Sequence, residues 1–194
     1  MSILYYGVGY DSGGYYPRYI NSEETREFSV WKNMLARCHG KAFRKNSPTY
    51  KHCSNVEEWN DFQVFAKWCH TQDQFKYAKW QLDKDILKRG NRVYGPEFCR
   101  FVPHAINSLF LSGNQRSRLP KGVHLDKGSG KYRVRVNYNR KKVYDKLFLT
   151  PEEALQAYWL TKKQIVSDAA EFWRGKISED IYEALINWEM EIAD

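Results

Sequence analysis

At 194 residues, 42% of them hydrophobic and 16% aromatic, the chain can bury one sizeable core or two small ones. No stretch approaches the roughly 18 apolar residues that a membrane span needs, and no charged segment followed by an apolar one opens the chain, so neither a membrane partner nor export is expected. The net charge of +8 is unevenly placed: Arg116 to Lys146 carries eleven Lys or Arg against two acids, Asp126 and Asp145, and the twenty bases and twenty-one acids elsewhere leave −1. A basic excess confined in this way is the footprint of a polyanion-binding surface, with nucleic acid the first candidate.

In chain order, residues 1–22 are rich in Tyr and Gly without a helical period, and an irregular arm with at most one short strand is expected. From Ser29, the spacing of Trp31, Met34, Leu35 and Cys38 predicts a helix ending near Gly40. Lys41 to Pro48 reads as a basic loop. Asn55 and Glu58 form a capping-box pattern for a second helix, with Trp59, Phe62, Phe65, Ala66 and Cys69 as its apolar stripe. Tryptophans at this spacing are core residues, so Trp31, Trp59 and Trp68 are assigned to packing. Leu82 to Leu87 and Cys99 to Val102 read as strands around a turn-rich loop, and Pro103 suits the first position of a helix continued by Ile106 and Phe110.

Ser112 to Pro120 is polar and reads as a linker. Three strands follow at Gly122–Asp126, Tyr132–Tyr138 and Lys142–Leu149, separated by turns at Gly128-Ser129-Gly130 and Asn139-Arg140. Thr150 and Glu153 form a capping box for a helix whose face runs through Ala154, Tyr158, Thr161, Ile165, Ala169 and Phe172. A last helix from near Ser178 presents Ile181, Leu185, Trp188 and Ile192. The reading is therefore α+β, with a module at 1–111, a linker at 112–120 and a second module at 121–194. The 147–194 tail carries −6, which suits a solvated face or a protein-docking surface.

Of the four cysteines, Cys38, Cys53, Cys69 and Cys99, the first three adjoin His39, His52 and His70, which raises structural zinc. The paired C-x-x-C spacing of a zinc ribbon is missing, and the simpler reading is small thiols in a core.

In Tyr132-Arg133-Val134-Arg135-Val136-Asn137, alternation sends Val134 and Val136 to the helix and Arg133, Arg135 and Asn137 outward. Such a row suits a DNA major groove: Arg pairs with guanine, Asn with adenine, and Lys121, Lys131, Arg140, Lys141 and Lys142 meet phosphates. The bland alternative is a solvated basic edge that only guards against strand pairing. Leu119-Pro120-Lys121-Gly122-Val123, Lys131-Tyr132-Arg133-Val134-Arg135-Val136 and Phe148-x-Thr150-x-Glu152-Glu153-Ala154-x-x-Ala157-Tyr158 resemble the ethylene-response-factor (APETALA-type) DNA-binding domain and its phage-integrase relatives. That resemblance implies a three-stranded antiparallel sheet laid in the major groove of double-stranded DNA, with a helix packed behind. The family's Leu-Gly is replaced here by Asp145-Lys146, and whether Tyr144 or Asp145 faces DNA is left open.

Trp31-x-x-Met34-Leu35-x-Arg37-Cys38, Leu82-Asp83-Lys84-Asp85-Ile86-Leu87, Tyr94-Gly95-Pro96-Glu97-Phe98-Cys99 and Phe101-Val102-Pro103-x-x-Ile106-Asn107 resemble the HNH (ββα-metal) homing endonucleases of phage genomes. The resemblance implies an HNH-like module with flanking helices, acting in the cytoplasm of an infected bacterial host. It also implies metal ligands at Asp83 and Asn107 for one magnesium or manganese ion, if the enzyme is active. The position of the general base holds Lys84, whose ordinary pKa near 10.4 leaves it charged; Asp85 and His104 are the alternative bases, and Lys84 is alternatively a phosphate contact. Phe98 stands where the pattern has its central asparagine. Two functional classes follow: a DNA-nicking hydrolase, and a catalytically inactive regulator or host-defence antagonist that binds DNA or a host protein.

Overall fold

A computed structural model describes residues 4–110, 119 and 122–189, and the chain is α+β. It divides into two compact units at Val102/Pro103. The segment expected as a linker lies outside the described residues except for Leu119.

The first unit is built on aromatic packing. Its arm is irregular, as expected, and is stitched down: Tyr10 N–H donates to the Asn60 carbonyl and Phe62 N–H to the Tyr10 carbonyl, both at 2.9 Å. Gly9 is required where the arm meets the first helix, because a Cβ there would fall 2.2 Å from Leu35 Cδ1. A hairpin follows, β1 (Tyr19–Ile20) and β2 (Glu23–Glu24), turning through Asn21 and Ser22 at φ 50° and 66°.

Helix α1 (Arg26–His39) starts three residues earlier than expected and ends at Gly40, whose N–H returns to the Ala36 carbonyl. The expected basic loop is instead α2 (Lys41–Asn46), whose Arg44 reaches back to the Cys38 carbonyl at 3.0 Å and so satisfies one of the carbonyls left open at the C-terminus of α1. Asn55 caps nothing. It lies in β3 (Ser54–Asn55), where its amide donates to the Val56 carbonyl and to Asn60 Oδ1 and its oxygen meets His39 Nε2. A single 3₁₀ turn (Glu57–Asn60) intervenes, and Asp61 caps α3 (Phe62–Thr71) by accepting from Gln63 N–H. Phe28, Trp31, Trp59, Phe62 and Phe65 are fully buried between α1 and α3, with the Trp31 indole N–H on the Trp59 carbonyl at 2.8 Å. Trp68 packs against Trp59 and Phe101 at centroid distances of 4.6 and 5.7 Å.

Strand β4 (Gln81–Asp83) pairs antiparallel with β6 (Arg100–Val102), while β5 (Val93–Tyr94) runs parallel to β3. The strand expected over Leu82 to Leu87 stops at Asp83, because its carboxylate accepts the N–H groups of Asp85 and Ile86 at 2.9 and 2.8 Å and turns the chain. All four cysteines are free and buried; burial pushes the Cys38 and Cys99 thiols up to about 12, and raises Cys53 and Cys69 as well.

In the second unit, α4 (His104–Asn107) follows Pro103, which caps it with extended backbone rather than opening it as its first residue. Strands β7 (Val123–Leu125), β8 (Tyr132–Tyr138) and β9 (Lys141–Phe148) form an antiparallel sheet in the order β7-β8-β9. The β8–β9 turn is two residues long, Asn139 and Arg140 at φ 50° and 63°, the hand that matches strand twist. Helix α5 (Pro151–Trp173) begins at Thr150 with both halves of the expected capping box in place, and packs across the three strands. Its buried face includes Ala154, Ile165 and Ala169 as expected, but Val166 and Ala170 take the place expected for Phe172, which is 73% exposed. Val166 and Ala170 extend the buried stripe of α5, which also packs against α6 (Glu179–Ile186), whose Ile181 and Leu185 are buried. Among the described residues no helix is long and apolar enough to cross a membrane.

Candidate nucleic-acid interface

Alternation along β8 divides its side chains as the pleat requires. Val134 and Val136 are buried toward α5, while Arg135 and Asn137 are exposed and Arg133 is half-buried on the opposite face. Cross-strand register extends this outer face: His124 and Leu147 flank Arg133, Asp145 lies opposite Arg135, and Lys142 lies opposite Asn137. Lys131, Arg140 and Lys141 are exposed at or beside the turns that border the face. Lys121 lies outside the described residues.

Asp145, not Tyr144, therefore faces outward. A regular strand cannot put Lys142 and Asp145 on one side, since they are three residues apart and the period is two. The ladder shifts register between Val136 and Asn137, leaving Val143 unpaired on β9, and this bulge brings both outward. Asp145 accepts Arg133 Nε and Nη2 at 2.7 and 2.8 Å, and also meets Arg135 Nε and Lys142 Nζ at 3.3 Å. These bonds, those from Arg133 foremost, hold its carboxyl well below the usual carboxylate range. Asp126 holds the β7–β8 turn through Ser129 and reaches Arg133 Nη1 at 3.5 Å. Sequence reasoning missed His124, Leu147 and the part taken by Asp145, because each depends on cross-strand register, which alternation within a single strand does not fix.

Asp83, Lys84 and Asp85 sit in the first unit at the end of β4. Asp83 is buried, with its carboxyl raised by desolvation and one oxygen engaged by two backbone N–H groups. Lys84 is buried too: its ammonium donates to Asp85 Oδ1 at 2.5 Å and to the Asn91 carbonyl at 2.9 Å, beneath the Tyr94 ring. Its side chain is 7% exposed and forms an internal tie between β4 and the loop leading to β5. One oxygen of Asp83 already accepts two backbone N–H groups and Asp85 is bonded to Lys84, so a magnesium or manganese ion would compete with those bonds. Among the described residues no group of three or more His, Cys, Asp or Glu gathers in one place.

Asn107 and His104 belong to the second unit, on α4. His104 lines a cleft of about 410 Å³ together with Asn137, Arg140 and Lys162, so the residue considered as a base shares a surface with residues considered for DNA. No family model, no curated protein and no solved structure matches the chain.

Proposed function

We propose that the chain binds double-stranded DNA through the outer face of the β7–β9 sheet, as a protein of the phage homing-endonuclease type working in the cytoplasm of an infected bacterial cell. The observation that carries this reading is the Arg133, Arg135 and Asn137 row on one face of β8, backed by Val134 and Val136 in the core. Arginine offers two donors to guanine and asparagine a donor and an acceptor to adenine, and the exposed Lys131, Arg140, Lys141 and Lys142 suit the flanking phosphates. The experiment is duplex binding on a selected and a scrambled site. Arg133→Ala and Arg135→Ala should each cost about 1 to 3 kcal/mol on the selected site and little on the scrambled one, whereas Lys141→Ala should weaken both equally. Equal losses for the arginines would reduce them to phosphate clamps.

A second reading concerns chemistry. The HNH resemblance, which runs from Trp31 to Asn107, supports reading the chain as a metal-dependent nicking enzyme or as an inactive descendant that regulates by binding DNA or a host protein. The inactive form is favoured by one observation: Lys84, at the position of the base, is buried and bound to Asp85. Plasmid nicking with magnesium and manganese separates the two. An active centre should lose nicking on Asp83→Ala and on Asn107→Ala with DNA binding retained. Lys84→His supplies an imidazole that is neutral near pH 7, and a gain of nicking would identify a centre that lacks only its base. Absence of nicking in every variant with either ion leaves the binding protein.

A further inference from the structure

The only two acids of the basic segment between Arg116 and Lys146 both touch one residue. Arg133 lies between Asp145, which takes its Nε/Nη2 edge with two oxygens, and Asp126, which meets Nη1 at 3.5 Å. Arg135 and Lys142 share the same Asp145 carboxylate at the longer distance of 3.3 Å. A guanidinium has two usable edges, and closing the Nε/Nη2 edge leaves the Nη1/Nη2 edge, engaged only by the long Asp126 contact, for a further partner. The nucleobase edge with two acceptors in line to receive them is the N7/O6 edge of guanine. The long Asp126 contact is the one that yields to such a partner.

We propose that Asp145 is a specificity-determining residue of the DNA-reading face: it aims Arg133 edge-on at guanine and keeps phosphate away from the centre of the sheet. This rests on the DNA-binding reading above. Two effects combine. Arg133 is already fixed before DNA arrives, so less side-chain freedom is lost on binding. The carboxylate also offsets charge where Arg133 and Arg135 converge, so a phosphate meets an anion there, while Lys131, Arg140, Lys141 and the exposed Lys142 toward the border stay attractive to the backbone. Asp145 therefore lowers affinity for arbitrary DNA and raises discrimination.

Asp145→Asn in the full chain tests this, with binding to selected and scrambled duplexes measured across a range of salt. The scrambled duplex should bind several-fold more tightly, with a log-log salt slope steeper by about one as a freed cation engages phosphate, and the ratio between the two duplexes should fall about tenfold. Lys142→Ala, which leaves the Arg133 clamp intact, should weaken both duplexes by one factor and preserve the ratio. If Asp145→Asn does not fold, Asp145→Glu keeps the charge but displaces the carboxylate by a methylene; it should lose the ratio without gaining scrambled affinity. A ratio unchanged in the Asn or Glu variant, or a wild-type protein with no preference between the duplexes, overturns the role of Asp145 while leaving DNA binding in place. Failure of the wild-type protein to retain any duplex at low salt is the distinct result that removes the DNA reading and this proposal with it.

Discussion

Gly122, at the start of the β7–β9 sheet, lies directly against Tyr158 of the supporting helix α5, and Gly122→Ala should loosen that support. Its φ is +83°, and a Cβ would lie 2.4 Å from the Tyr158 ring of α5. The left-handed backbone costs a non-glycine residue roughly 1 to 2 kcal/mol, and forcing a methyl group against a packed ring typically adds about 1 to 3 kcal/mol. A destabilisation of about 2 to 5 kcal/mol is expected for the second unit. Amide hydrogen exchange at Val134 and Val136, in the central strand, reports it as faster opening of the sheet. In a Tyr158→Ala background the ring is gone and only the backbone cost should remain, so the glycine substitution should then cost about 1 to 2 kcal/mol. If Gly122→Ala costs the same with and without the Tyr158 ring, or costs nothing, the packing of α5 on the start of β7 is not as described.

The Cys38 and Cys99 thiols, raised to about 12 by burial, should stay protonated and resist a thiol reagent at pH 8 until the first unit unfolds; rapid labelling of the native protein would contradict this. Asp145 has a depressed pKa, so its contribution is present above the unfolded carboxyl value and is lost only as pH falls through the lower folded value. The Arg133 Nε–H signal should accordingly be unchanged between pH 8 and pH 5, and a transition inside that window would count against the clamp. Thr150→Ala, which removes the capping box of α5, should cost about 1 kcal/mol in thermal or chemical unfolding of the second unit.

The second unit was legible because its signals are local. A capping box at Thr150, a two-residue turn at Asn139-Arg140 and strict alternation in β8 each constrain a few neighbouring residues, and each stands where periodicity put it. The bulge at Val143 was not legible from alternation alone, and it decides which side Asp145 occupies. In the first unit the competing signals were closer in strength. Asn55 followed by Glu58 looked like a cap, yet Asp61 serves because the Tyr10 backbone and Ser12 N–H converge on the start of α3. Leu82 to Leu87 had strand-like alternation, but the Asp83 carboxylate found two backbone donors and ended the strand. Burial of Lys84 depends on Asn91 and Tyr94, several residues away, and no pattern in the Asp83-Lys84-Asp85 run announces it.

The central claim is that DNA is held by the outer face of one sheet, and the salt dependence of duplex binding by the full chain tests it most directly. With the exposed Lys131, Arg140, Lys141 and Lys142 and further basic residues contacting phosphate, the wild-type log-log slope should have a magnitude of at least about 4. The combined Arg140→Ala and Lys141→Ala variant should lower that slope by about 2. A complex insensitive to salt, or a slope that the paired substitution leaves unchanged, would contradict the account.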